Sequence, residues 1–246
     1  MYILKQITNG EIELIREELF IVKSNNGPFE LIRTIGAHLF QIVSVALNSR
    51  ASVSATVCHQ EDSVKLWDVK QGISISFYIL CLMHTGTLLQ TMEFNSPKAA
   101  LFFNHSPSKL IVACRNDIYI VDVTSLSILS FSDTPQDSSY NPHALALSVD
   151  DTVLVAGCSN HRLVYIHGYD TVSRSQLWLY DAAYHLGAVC MLGAHVLVTI
   201  GRGLTWELDL KTGDHVATLR TSNGHIFRIG VIEGLTFHFF LIFSTP

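Results

Sequence analysis

Charge is scarce in this chain: only 15% of its 246 residues are Asp, Glu, Lys or Arg, against 48% hydrophobic. So little charge excludes a disordered or purely solvating polypeptide. The mean hydropathy of +0.32 instead suits strands buried on both faces. The 16 Lys and Arg residues are outnumbered by 21 Asp and Glu, for a net charge of −5, and gather into no basic stripe. Nucleic acid is therefore not an expected partner. Long apolar runs are missing as well. Stretches 73–83 and 235–243 fall short of the roughly 20 residues of a spanning helix, and Thr236 and His238 interrupt the second. No membrane partner is expected. The N-terminus reaches Asn9-Gly10-Glu11 before any signal-peptide core forms, which points to the cytoplasm, with the nucleus left open.

Signatures of chemistry are also lacking. No Gly-rich phosphate loop with Lys, no Gly-x-Ser-x-Gly elbow and no His-Glu-x-x-His helix occurs. His59-Gln60-Glu61 has the deaminase His-x-Glu spacing, but no Pro-Cys-x-x-Cys follows it. The 12 histidines and 5 cysteines include no Cys-x-x-Cys or His-x-x-x-His pair. The expectation is of no catalytic residue, no metal and no cofactor.

What is present is a repeat. Val57-Cys58-His59-Gln60-Glu61-Asp62-Ser63-Val64-Lys65-Leu66-Trp67-Asp68 reads as a strand, a tight polar turn and a second strand. The pattern recurs at Leu110-Ile111-Val112-Ala113-Cys114, at Val153-Leu154-Val155-Ala156-Gly157-Cys158 and at Val196-Leu197-Val198-Thr199-Ile200, each followed by a turn and a strand ending near Asp122, Asp170 or Asp209. Asp170 and Asp209 are separated by one repeat of about 40 residues. Asp122 lies further from Asp170 because the polar loop 132–141 falls between them. Such a period, with four short strands per unit, predicts an all-β fold of β-propeller blades. Four full blades are expected, with partial blades at each end, as an open or incomplete ring or as a five-bladed ring whose end pieces share a blade. Cys58, Cys114 and Cys158 fall at one repeat position and are expected to be buried packing residues.

These residues resemble the WD-repeat family, through Gly36-Ala37-His38, the turn at Asp62, Lys65-Leu66-Trp67-Asp68 and the Asp-Leu-Lys-Thr-Gly run that ends at Gly213. The resemblance covers 18–231, strongest in the first blade. It implies a polar network inside a blade that links a loop histidine, a strand hydroxyl, a turn aspartate and a tryptophan. His38, Asp62 and Trp67 match three of these places, with Cys58 and His59 near the expected hydroxyl; in later blades Tyr119, Tyr165 and Trp206 roughly take the place of the tryptophan.

Residues 1–17 read as an N-terminal extension and 232–246 as a tail off the repeat pattern. Asp68 and Asp122 are spaced more widely than one repeat, and the stretch 71–84 accounts for the excess. That stretch reads as a translated intron or recent insertion in a strand-connecting turn; the alternative is an apolar docking loop. The function expected is a non-enzymatic scaffold for other proteins. Two alternatives stay open: a quinoprotein-like propeller enzyme, suggested by the run from Leu204 to Gly213, and a truncated propeller product without independent function. The candidate protein-binding residues lie in the turns between second and third strands: Arg115 and Asn116, then Asn160, His161 and Arg162, then Arg202. Arg and polar donors repeated at one position suit carboxylate or phosphate recognition.

Overall fold

The computed structural model describes residues 7–8, 11–12, 18–23, 30–36, 38–48, 52–68, 87–131, 140–159, 164–182, 186–200, 204–220, 226–231 and 238–242. The chain divides into two compact units, Met1–Pro97 and Lys98–Pro246. All regular structure among the described residues is β, and no helix there is long and apolar enough to cross a membrane.

Among its described residues, the first unit holds two short hairpins and one four-stranded sheet. β1 (Ile7–Thr8) pairs with β2 (Glu11–Ile12), and β3 (Glu18–Lys23) pairs with β4 (Glu30–Gly36). β5 (Ser44–Leu47), β6 (Val53–Cys58), β7 (Ser63–Asp68) and β8 (Thr87–Glu93) form an antiparallel sheet in chain order. Residues 71–84 lie outside the described residues, between two strands that pair directly, Asp68 opposite Thr87.

Among its described residues, the second unit contains three such sheets. They are β9 to β12 (Pro97–Phe102, Lys109–Cys114, Asp117–Asp122, Ile128–Ser130), β13 to β16 (Pro142–Leu147, Val153–Ser159, Val164–Asp170, Gln176–Ala182) and β17 to β20 (Leu186–Leu192, His195–Ile200, Leu204–Asp209, His215–Arg220). A final hairpin follows, β21 (Ile226–Val231) with β22 (His238–Ile242), so a strand lies within the stretch read as off the pattern. The four complete sheets are the four blades expected from the repeat.

Burial explains the sequence of each blade. The second strand is covered on both faces, so Val57 and Cys58, Leu110 to Cys114, Val153 to Cys158 and Val196 to Ile200 are buried and read as mainly apolar runs, with Ser54, Thr56 and Thr199 as buried hydroxyls within these strands. Leu154, Ala156 and Cys158 face a cluster shared with Phe103, Ile111, Ile118 and Phe131 of the preceding blade. Val153, Val155 and Ile166 face another with Val196, Val198, Ile200 and Leu208 of the following blade. The fourth strands lie at the sheet edges and are largely exposed.

The strand-ending aspartates close the turn into the fourth strand. Asp122 Oδ1 accepts the amides of Thr124 and Ser125, each at 2.9 Å. Asp170 Oδ1 accepts those of Val172 and Ser173 at 3.0 and 2.6 Å, and Asp209 Oδ1 those of Lys211 and Thr212, each at 2.9 Å. Four residues on, the chain enters the left-handed region, at Leu126 (φ 59°), Arg174 (φ 62°) and Gly213 (φ 75°). The amides donated to each carboxylate hold all three below the ordinary Asp range. A depressed pKa in the folded state contributes stability that is present above the unfolded value, about 3.9, and lost as pH falls through the folded value beneath it. Thermal unfolding followed from pH 6 to pH 2.5 should therefore show an acid loss below about pH 4 that is smaller in an Asp122→Asn, Asp170→Asn, Asp209→Asn triple variant. Equal pH slopes for the two proteins would remove these turns as its source.

Candidate functional site

A linked set of polar side chains lies in the first blade. Ser54, Thr56 and Cys58 share one face of β6 by strand alternation, and β7 sets Trp67 opposite Ser54 and Lys65 opposite Thr56. Trp67 Nε1 donates to Thr56 Oγ1 at 2.9 Å, and the same oxygen lies 2.8 Å from Nε2 of the buried His38. The other ring nitrogen of His38, Nδ1, lies 2.8 Å from Glu61 Oε2. Glu61 as a carboxylate can only accept, so His38 donates to it from Nδ1; in the neutral ring Nε2 then accepts from Thr56, whose oxygen in turn accepts from Trp67.

Glu61 is heavily committed. Lys65 Nζ is 2.9 Å from Oε2, Ser63 Oγ donates to the same oxygen at 3.4 Å, and the Leu39 amide donates to Oε1. Burial works to raise its pKa, but the hydrogen bonds from Lys65, His38 and Leu39 outweigh it and hold the carboxyl at about 2. The result is a clamp that ties the loop entering the blade to its second strand, its third strand and the turn between them.

The structure thus joins His38 and Trp67 but gives the other two places to different residues from those read in the sequence. The hydroxyl is Thr56, not a group near Cys58 or His59, and the carboxylate is Glu61 in place of Asp62. Asp62 adopts φ 49° and its Oδ1 accepts the Ser96 amide at 2.9 Å. The pairs Val53 with Asp68, Lys109 with Asp122, Val153 with Asp170 and His195 with Asp209 align the blades. Thr56 then corresponds to Val112, Ala156 and Val198, so the central hydroxyl is absent from the later blades. Trp67 corresponds to Val121, Tyr169 and Leu208, each further along its strand than Tyr119, Tyr165 or Trp206.

In the third blade a tyrosine pair ties the entry loop down instead. Tyr140 and Tyr169 are buried, with hydroxyl oxygens 2.9 Å apart, and Phe131 packs edge-on to Tyr169 at 5.4 Å. Burial pushes the Tyr140 phenol and the Cys158 thiol up, which keeps both neutral. Cys58, Cys114 and Cys158 are all buried, as their shared position predicts, and none is in a disulfide.

Of the candidate partner-binding turns, Arg115 is exposed. Asn116 takes the left-handed φ of 70° that its turn requires, and its amide donates to Tyr140 O at 3.0 Å. Asn160, His161, Arg162 and Arg202 lie outside the described residues.

Among solved structures, this chain is similar to Kuenenia stuttgartiensis hydrazine synthase, with a TM-score of 0.66 at 15% identity. The blades are of the β-propeller type. The match takes in 81% of this chain but only 61% of the hydrazine synthase chain, and at that identity it carries the fold and not the activity. No protein-family model matches the sequence, and no curated protein does.

Proposed function

We propose that this chain is a non-enzymatic propeller module of WD-repeat type that binds other proteins in a reducing compartment. The family reading is supported by the first blade, whose His38, Thr56 and Trp67 linkage follows the WD pattern with Glu61 as its acid. The interaction reading is carried by one observation in the second unit. The outermost strand of each blade exposes large apolar side chains at a sheet edge: Ile128 and Leu129 on β12, Leu177 and Leu179 on β16, Val216 and Leu219 on β20. Single exposed leucines are ordinary, but the same placement on three successive blades is what a docking surface requires. A partner adding an extended segment to such an edge would gain main-chain hydrogen bonds and apolar contacts together.

Crosslinking with mass spectrometry on the captured complex tests this. Partner crosslinks should concentrate on the fourth strands. A Leu177→Lys, Leu179→Lys variant should lose capture at least about tenfold with little change in thermal stability, because both side chains already face water. An Arg115→Glu, Arg202→Glu variant probes the turn rim in parallel. Retained capture in both variants would overturn the reading.

A further inference from the structure

We propose that His38, Cys58 and Glu61 form a binding site for a soft divalent cation, zinc by its chemistry. One ligand atom from each, a ring nitrogen, a thiol sulfur and a carboxylate oxygen, lie within 4.8 Å of one another. This mixed set is one that zinc accepts, at bond lengths of about 2.0 to 2.3 Å, so closure needs side-chain shifts of about 1 Å. The site is independent of the docking surface proposed above and stands or falls separately from it.

Cys58 is what sets this cluster apart from a purely structural clamp. It is fully buried, yet its thiol has no hydrogen-bond partner among the described residues. Its equivalent in the third blade differs, since Cys158 Sγ lies 4.0 Å from Ala156 O and bonds with Tyr140. An apolar residue would pack at position 58 equally well, as Ile200 does at the same place in the fourth blade. The thiol therefore sits beside a histidine and a carboxylate with its polar capacity unused.

The surrounding bonds suit a ligand role. With Nδ1 on the metal, the His38 proton resides on Nε2 and donates to Thr56 Oγ1, which has a second lone pair for Trp67 Nε1. Such a bond fixes both the tautomer and the ring orientation of a metal-bound histidine. The cation displaces one proton, from Cys58, which leaves to solvent as the thiolate forms. Lys65 must leave Glu61 at the same time; its side chain is partly exposed, and its flexible stem lets the ammonium swing into water.

The test is titration of the metal-stripped full chain with cobalt(II), followed by competition with zinc. One equivalent should produce a thiolate-to-cobalt charge-transfer band in the near ultraviolet with visible bands of tetrahedral cobalt, and zinc should abolish both. Cys58→Ser should remove the near-ultraviolet band, while Cys114→Ser and Cys158→Ser keep it. Glu61→Gln, which leaves the thiol in place, should weaken cobalt binding at least about tenfold. Absence of the thiolate band in folded wild-type protein, its persistence in Cys58→Ser, or undiminished affinity in folded Glu61→Gln would each overturn the proposal.

Discussion

Replacing Trp178 with alanine should destabilise the second unit by about 3 to 5 kcal/mol, the range for losing a large buried aromatic side chain. Trp178 projects from β16 and covers two glycines of different blades. A Cβ placed on Gly168 would fall 2.2 Å from the indole Cε2, and one on Gly213 would fall 2.6 Å from Cδ2. Both contacts are impossible for any other residue without moving the ring. Gly213 also holds the left-handed φ of the turn closing the fourth blade, and Trp178 Nε1 donates to Leu210 O beside it at 2.9 Å. One side chain thus fills the third blade's gap at Gly168 and grips the next blade's turn. Its loss leaves a cavity, a buried carbonyl without its donor and a weakened contact between neighbours. In a repeat architecture stability is carried by such nearest-neighbour contacts, so chemical denaturation of Trp178→Ala should show a lower midpoint and a smaller slope than wild type. A loss below about 1 kcal/mol would mean that the indole does not couple the blades.

The role of Trp178 is invisible in the sequence, while the blades are plain, and the difference is physical. The second strands declare themselves because burial on both faces demands mainly apolar residues, with only small hydroxyls such as Thr56 and Thr199 among them. The strand-ending aspartates do so because each closes the same turn through its own carboxylate. Side chains that meet across strands leave no such linear trace. Trp67 reaches Thr56 diagonally, past its direct partner Ser54, so counting back from the turn puts the hydroxyl near Cys58. The choice between Glu61 and Asp62 depends on which way adjacent turn residues point, and Asp62 is turned away by its left-handed φ. Tyr119, Tyr165 and Trp206 match Trp67 only in aromatic character. The register set by the aspartates puts Tyr169 there, and Tyr169 is the residue that takes part in a buried hydroxyl link.

Deleting residues 71–84 should leave the first blade intact and raise its stability. In the fourth blade, Leu208 pairs with His215, a bulge follows and Glu207 pairs with Ala217. In the first, Trp67 pairs with Leu88, a bulge follows and Leu66 pairs with Gln90. Counted from Asp209 and Asp68, the two registers coincide once the stretch 71–84 is left out. Joining Lys70 to Thr85 creates Asp68-Val69-Lys70-Thr85-Gly86-Thr87, which matches Asp209-Leu210-Lys211-Thr212-Gly213-Asp214 at the Asp, Lys, Thr and Gly positions. Gly86 then falls where Gly213 adopts φ 75°, and Asp68 gains the two amides that Asp209 holds. Shortening the connection roughly fourfold also lowers its closure entropy by about 1 kcal/mol, worth roughly 2 to 4 °C in a chain of this size. Differential scanning calorimetry of the deletion, beside a variant carrying a Gly/Ser segment of equal length in place of 71–84, separates the two contributions. The deletion should melt highest, and the Gly/Ser variant should gain solubility without the full rise in Tm. If the deletion abolishes cooperative unfolding while the full chain unfolds cooperatively, residues 71–84 belong to the fold and the turn geometry does not decide the matter.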